Sequence, residues 1–160
     1  MSLKYVDLFA GCGGCSLGLS SLGFRRLSSN EVSPMASETF SHNLLKQNAR
    51  TFYLYDNVKH PVVKHDYRPL CSKPIQNGIE SIVSKFDGSH FIGDVRQYNK
   101  ALSKVDPDEI CKIDLDLIIG GPPCQGFSLA GLHNLKDPKN RLPYEFIKTV
   151  EILKPKVVVL

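Results

Sequence analysis

The chain has 160 residues, 42% of them apolar and 22% charged, with a formal net charge of +4. That is enough for one globular domain with its own core; it excludes a chain disordered throughout, and no run approaches the roughly 18 apolar residues that span a bilayer. The mildly basic balance permits a nucleic-acid partner without requiring one, and five cysteines behind an N-terminus with no secretory pattern read as free thiols rather than a disulfide framework.

Tyr5–Phe9 reads as a short buried strand, broken by Gly11-Cys12-Gly13-Gly14. Ser16–Leu22 reads as a helix with Leu17, Leu19 and Leu22 on or near one face, stopped by Gly23. Arg25–Asn30 is a second strand, weakened by the polar Arg26, Ser28 and Ser29. Ser33-Pro34 is a helix start, a cap followed by proline in the first turn, and Ala36, Phe40, Leu44 and Leu45 supply its apolar side. From Lys46 to Pro74 periodicity dissolves among prolines, lysines and histidines, which predicts an inserted surface excursion rather than core.

Helical spacing resumes over Ile75–Phe86, with Ile79, Ile82, Val83 and Phe86 aligned. His90–Ile92 is a strand ending at Gly93-Asp94, and Leu115–Ile119 another, ending at Gly120-Gly121-Pro122-Pro123. Pro143–Leu153 is a helix with Phe146, Ile147, Val150 and Leu153 on one face; Lys154-Pro155 ends it and Lys156–Leu160 begins a fifth strand. Strands alternating with helices predict an α/β fold: a mostly parallel sheet with helices on both faces. A chain stopping inside a strand reads as part of a larger unit, or as one chain of a split one.

Ligands of open α/β sheets sit beyond the carboxyl ends of the strands. The glycine turn after the first strand lies there, where absent side chains let a ligand approach the backbone. Glu31 follows Gly11 by twenty residues, at the end of the second strand, in position to accept ribose hydroxyls. Asp94 ends the third, where it can meet a base or amino group. The dinucleotide fingerprint fails, because Ser16 occupies the third glycine position. A nucleoside ligand without a pyrophosphate, such as S-adenosylmethionine, depends more on the ribose carboxylate. A tight turn with no ligand remains the plain alternative.

Gly120–Ser128 presents one cysteine, Cys124, from a loop of glycines and prolines at the sheet edge, where a thiol can be reached and ionised. It reads as a nucleophile or as an incidental loop cysteine. Cys12 and Cys15 have C-x-x-C spacing, which fits a redox pair or half a zinc site completed by His60 and His65. Either reading leaves Glu31 and the Cys124 loop unexplained.

In combination the sequence resembles the C5-cytosine DNA methyltransferases. Asp7–Gly14 looks like the family's first motif, Asn30-Glu31 its second, Gly93–Val95 its third, Gly120–Ser128 its fourth, and Asp137–Lys156 its fifth and the approach to the sixth. The landmarks occur in family order across nearly the whole chain. The resemblance implies a Rossmann-like S-adenosylmethionine-dependent fold and S-adenosylmethionine as methyl donor, leaving S-adenosylhomocysteine. It implies cofactor contacts by Phe9, Ala10, Gly11, Gly13, Gly14, Glu31, Val32, Asp94, Val95, Pro123 and Leu142. Cys124 becomes the nucleophile that adds to a flipped cytosine. Gln125, Ser128, Lys139 and Arg141 fall on the side of double-stranded DNA, with His133 and Lys136 in or beside a mobile loop.

Departures accompany the likeness. Val32 stands where an aromatic often covers adenine, and Cys15 where larger residues are common. The family's next motif, with its glutamate at cytosine N3, falls beyond Leu160, as do the target-recognition domain and the segment that completes the cofactor pocket. The expectation is the N-terminal part of a catalytic domain, residues 1–160 with an excursion at about 46–74, inactive or weak alone and completed by a further segment or second chain. It is expected in the cytoplasm or nucleoid of a bacterium, or the nucleus of a eukaryote, and not secreted. The alternatives are a tRNA cytosine-5 methyltransferase and a catalytically inactive regulatory or split-subunit chain.

Overall fold

The computed structural model describes residues 2–45, 51–54, 73–74, 82–123 and 138–160. Among the described residues, helices and strands follow in the order β1 (Lys4–Leu8), α1 (Gly14–Ser21), β2 (Arg25–Glu31), α2 (Pro34–Leu44), β3 (Thr51–Tyr53), β4 (Lys73–Pro74), β5 (Ser89–Ile92), α3 (Val95–Leu102), α4 (Pro107–Ile113), β6 (Leu117–Gly120), α5 (Leu142–Leu153) and β7 (Val157–Val159). Short 3₁₀ turns occupy Ile82–Lys85 and Pro138–Arg141.

The strands form one sheet in the order β4-β3-β5-β2-β1-β6-β7, and every pairing is parallel. The chain passes from β1 to β2 and on to β3 and β4 at the outer edge, returns to insert β5 between β3 and β2, then crosses to the far side of β1 to lay down β6 and β7. Winding therefore reverses between β1 and β6, which opens a crevice at their carboxyl ends. Register aligns those ends: Leu8 pairs with both Asn30 and Gly120, and Glu31 with Ile92. The turns after β1, β2, β5 and β6 thus emerge along one edge.

The two faces of the sheet differ chemically. On one, Val6, Leu8, Phe91 and Ile118 pack with Tyr98 and Leu102 of α3, Ile110 of α4, and Phe146 and Leu153 of α5. On the other, Tyr5 and Asp7 bond Ser16 of α1, Ser29 Oγ meets His90 Nδ1 at 2.8 Å, and Phe40 of α2 stacks on His90 with centroids 4.4 Å apart. The guanidinium of Arg26 also lies over the Phe40 ring, 4.9 Å from its centroid. Each buried polar group of this layer costs free energy unless paired, so the pairing fixes which residues meet. Polar residues buried on both faces explain why β2 reads weakly as a strand. Ser28, Ser29 and Asn30 are buried, with Ser28 Oγ on Tyr98 Oη at 2.7 Å and Asn30 Nδ2 donating to the carbonyls of Phe91 and Gly93.

Several expectations are corrected. Thr51–Tyr53, inside the stretch read as an excursion, is sheet: Phe52 stacks on Phe91 and Leu54 is buried. Helix α1 does not bury its leucines; Leu17 and Leu22 are 61% and 74% exposed, and Ser16 is its buried residue. Ile147 faces outward from α5, whose inner face is Phe146, Thr149 and Leu153. Of the helix expected over Ile75–Phe86, residues 82–85 form a 3₁₀ turn and 75–81 lie outside the described residues. Val157–Val159, the expected last strand, lies at the sheet edge and is about half exposed. Helices α3 and α4 are additional, each opened by an aspartate cap, Asp94 or Asp106. Among the described residues no helix is long and apolar enough to cross a membrane.

Candidate functional site

Three backbone positions after β1 adopt left-handed conformations: Phe9 (φ 55), Gly11 (φ 53) and Gly13 (φ 93). For a phenylalanine this costs about 1–2 kcal/mol, and the surrounding bonds hold it there. The Ala10 N–H reaches the Asn30 carbonyl at 3.0 Å and the Gly13 N–H the Ala10 carbonyl at 2.9 Å. A side chain at Gly13 would drive its Cβ to 2.3 Å from Leu44 Cδ1 and 2.8 Å from Phe40 Cδ2. That glycine is therefore required by the packing of α2 on the turn. A Cβ at Gly14 meets nothing within 4 Å, so its openness leaves space for a ligand. Gly13 is also the N-cap of α1 and offers no side chain to the first N–H groups of the helix. These N–H groups have no partner within the helix and carry the positive end of its dipole, at the turn that leaves the carboxyl end of β1.

Glu31 ends β2 nine-tenths buried. One carboxylate oxygen accepts the Gly11 N–H at 2.9 Å and the other the Ser33 N–H at 2.8 Å. The side chain ties the glycine turn to the turn before α2. Each oxygen keeps a further lone pair, enough to accept a hydroxyl from a vicinal diol. Asp94, at the end of the neighbouring β5, caps α3 through the Arg96 N–H at 2.8 Å and pairs with the Arg96 guanidinium at 3.2 Å. Its side chain remains over a third exposed. Gly93 leaves room for the end of β3: a Cβ there would lie 2.8 Å from the Leu54 carbonyl. Val95 is buried, so any ligand contact it makes runs through its main chain, while Val32 is 59% exposed beside Glu31.

Across β1, Gly121-Pro122-Pro123 leaves β6 at the same edge, where Gly120 sits so close to Leu8 that a Cβ would lie 2.6 Å from its carbonyl oxygen. Pro123 and Leu142, the first residue of α5, are half-buried, and Arg141 is exposed. Lys139 belongs to the 3₁₀ turn before α5. Cys124, Gln125 and Ser128, with His133 and Lys136, lie outside the described residues. The structure therefore joins Gly11 and Glu31 directly, sets Asp94 on the adjacent strand end, and brings the approach to Cys124 to the edge they share.

The motif reading includes Asp7 and Ser16 but not the contact between them, nor Tyr5's part in it. Asp7 is 1% exposed beneath the turn, and Ser16 Oγ donates to its Oδ2 at 2.6 Å. Burial, against the hydrogen bond from Ser16 and the nearby Arg26 charge, pushes Asp7 up to about 6. A lone carboxylate inside the run Tyr5-Val6-Asp7-Leu8 is the signal that could have found it. Burial and the Asp7 charge raise the Cys15 thiol above its usual range. This opposes the acidified thiol that a reactive C-x-x-C pair needs. Among the described residues no three His, Cys, Asp or Glu side chains converge on a metal position. His60 and His65 lie outside the described residues.

The sequence matches the C-5 cytosine-specific DNA methylase family over residues 3–68 and 70–160. The chain belongs to that family. Type II methyltransferase M1.HphI of Haemophilus parahaemolyticus is 31% identical over 163 residues, covering 100% of this chain and 32% of its own length. Type II methyltransferase M.DdeI of Desulfomicrobium norvegicum is 31% identical over 158 residues, covering 99% of this chain and 27% of its own. A prophage-encoded E. coli protein, described as a DNA modification methyltransferase, superposes with a TM-score of 0.50 over 96% of this chain and 30% of its own, at 24% identity, and shares the fold. The chain thus spans about a third or less of these relatives. The parallel sheet agrees with the fold expected from the sequence.

Proposed function

We propose that this chain is the cofactor-binding and nucleophile-bearing portion of a DNA (cytosine-5-)-methyltransferase of the type II modification kind, with S-adenosylmethionine as donor and duplex DNA as substrate. The observation that carries the reading is the Glu31 carboxylate accepting the Gly11 N–H while ending the strand beside Asp94. The residues fit a nucleoside with an amino-acid tail. Glu31 would hold the ribose hydroxyls, Asp94 the adenine amino group, and the open N–H groups of α1 the tail carboxylate. Phe9, Ala10, Gly11, Gly13 and Gly14 would line the turn, with Val32, the main chain of Val95, Pro123 and Leu142 around the nucleoside. When bound, the donor supplies a methyl group on a sulfonium.

The chain's own chemistry is covalent activation of the base. Cytosine C5 is a poor nucleophile. The thiolate of Cys124, adding to C6, converts the ring into an enamine whose C5 is electron-rich. Loss of the C5 proton after methylation expels the thiolate and restores aromaticity. The target carbon is inaccessible inside a duplex, so the cytosine must leave the stack. Gln125, Ser128, Lys139 and Arg141 are assigned to the DNA side.

Two measurements test this. Calorimetry with S-adenosylhomocysteine should show binding to the chain that Glu31→Ala abolishes. In the enzyme completed by its further segment or second chain, DNA carrying 5-fluorocytosine should be trapped as a covalent adduct in the presence of the donor, and Cys124→Ala should remove it. An adduct that survives in Cys124→Ala would overturn the nucleophile assignment, and binding indifferent to Glu31 would overturn the cofactor site.

A further inference from the structure

Strand β1 points Tyr5 and Asp7 to the same side of the sheet, two residues apart, and both grip the first turn of α1 at a single residue. Ser16 Oγ donates to Asp7 Oδ2 at 2.6 Å, and the Tyr5 hydroxyl donates to the Ser16 carbonyl at 3.3 Å, with Ser20 Oγ a further neighbour of that hydroxyl. Beyond the turn that precedes it, which α2 and Glu31 hold, this helix buries little of its own. Its N-cap is a glycine, its only buried residue is Ser16, and Leu17 and Leu22 lie in solvent. The direction in which its unpaired N–H groups aim is therefore set from below, by β1.

We propose that Asp7 is a positioning residue for the cofactor, acting through Ser16 to aim the uncapped start of α1, and that cofactor affinity follows the ionisation of its carboxylate. The proposal rests on the reading of the glycine turn as the S-adenosylmethionine site. An ionised carboxylate holds a hydroxyl about twice as strongly as a neutral acid does. Protonating Asp7 loosens the grip on Ser16 and lets the helix start drift from its ligand. Burial places this change near pH 6, within the working range of a protein. The groups that face Asp7 are few. Ser16 and Cys15 come from α1, and Tyr5 lies on its own strand. From β2 come Arg26, which favours the ionised form, and Glu31, which opposes it. His90 on β5 senses the same Arg26 and is held neutral, well below its usual range. The other neighbour of β1, Leu117–Gly120 of β6, brings no titratable side chain.

The test is calorimetry of S-adenosylhomocysteine on the full chain from pH 5 to 8, for wild type, Asp7→Asn and Ser16→Ala. It is joined by amide shifts of Gly14–Leu17 recorded without ligand. Wild-type affinity should fall about tenfold as pH drops through 6, the difference between a charged and a neutral hydrogen bond. Asp7→Asn, which keeps the shape and loses the charge, should flatten the profile and abolish the amide titration. Ser16→Ala should weaken binding at pH 7.5 and move the midpoint upward, because the carboxylate loses its donor. A wild-type pH profile in Asp7→Asn, or wild-type affinity in Ser16→Ala, would overturn the proposal and leave the cofactor site standing. Amides that titrate in a chain that binds no ligand at any pH would overturn the cofactor reading itself, and this positioning role with it.

Discussion

Replacing Gly13 by alanine isolates packing from ligand contact. The residue sits at φ 93, and the added Cβ would fall 2.3 Å from Leu44 Cδ1 and 2.8 Å from Phe40 Cδ2. The left-handed backbone costs an L-residue about 1–2 kcal/mol. Leu44 ends its helix and can rotate. Phe40 cannot yield as easily: it is fully buried, with His90 stacked on its ring and the Arg26 guanidinium over it. Overpacking of this kind costs about 1–3 kcal/mol, for a total of roughly 2–5 kcal/mol. In a domain of this size that lowers Tm by about 5–15 °C. Gly14→Ala is the control. It adds a Cβ in open space at the first turn of α1 and should leave stability unchanged or raise it by up to about 1 kcal/mol. Urea denaturation and thermal melting of both variants decide the matter. A Gly13→Ala chain as stable as wild type, or a Gly14→Ala chain equally damaged, would refute the argument that α2 packs against the turn.

Glu31→Gln keeps one acceptor but turns an NH₂ toward a backbone N–H, so it should cost about 1.5–3 kcal/mol in denaturation experiments even without cofactor; an unchanged midpoint would contradict the latch between the two turns. Asp7 has a folded pKa of about 6 against 3.8 unfolded, so the native state binds the extra proton and stability falls as pH rises from about 4 through 6, by roughly 3 kcal/mol. Asp7→Asn should therefore match wild type near pH 4 and exceed it at pH 8, as melting curves across that range would record. His90 acts in the opposite sense. With its pKa lowered to about 3 by burial and Arg26, its contribution is complete above pH 6.5 and is lost as pH falls toward 3, by about 5 kcal/mol in all. Imidazole carbon shifts should show a neutral ring at pH 5; a ring titrating near 6.5 would contradict its burial against Phe40 and Ser29.

Local chemistry was legible in the residues alone. The glycine turn, the Ser33-Pro34 helix start, the carboxylates at the ends of β2 and β5 and the loop before Cys124 are set by neighbours within a few positions, where backbone conformation and capping act. Which surface each element buries was not. Leu17 and Leu22 have the spacing of a core face yet lie in solvent, because Tyr5 and Asp7 hold α1 through a serine. Ser28, Ser29 and Asn30 look too polar for a central strand, yet they are buried, because Tyr98, His90 and two carbonyls far along the chain satisfy them. Thr51–Tyr53 becomes sheet only because β5 offers it an edge. Periodicity reports how apolar a face is, whereas burial depends on what covers it, and only the folded chain decides that.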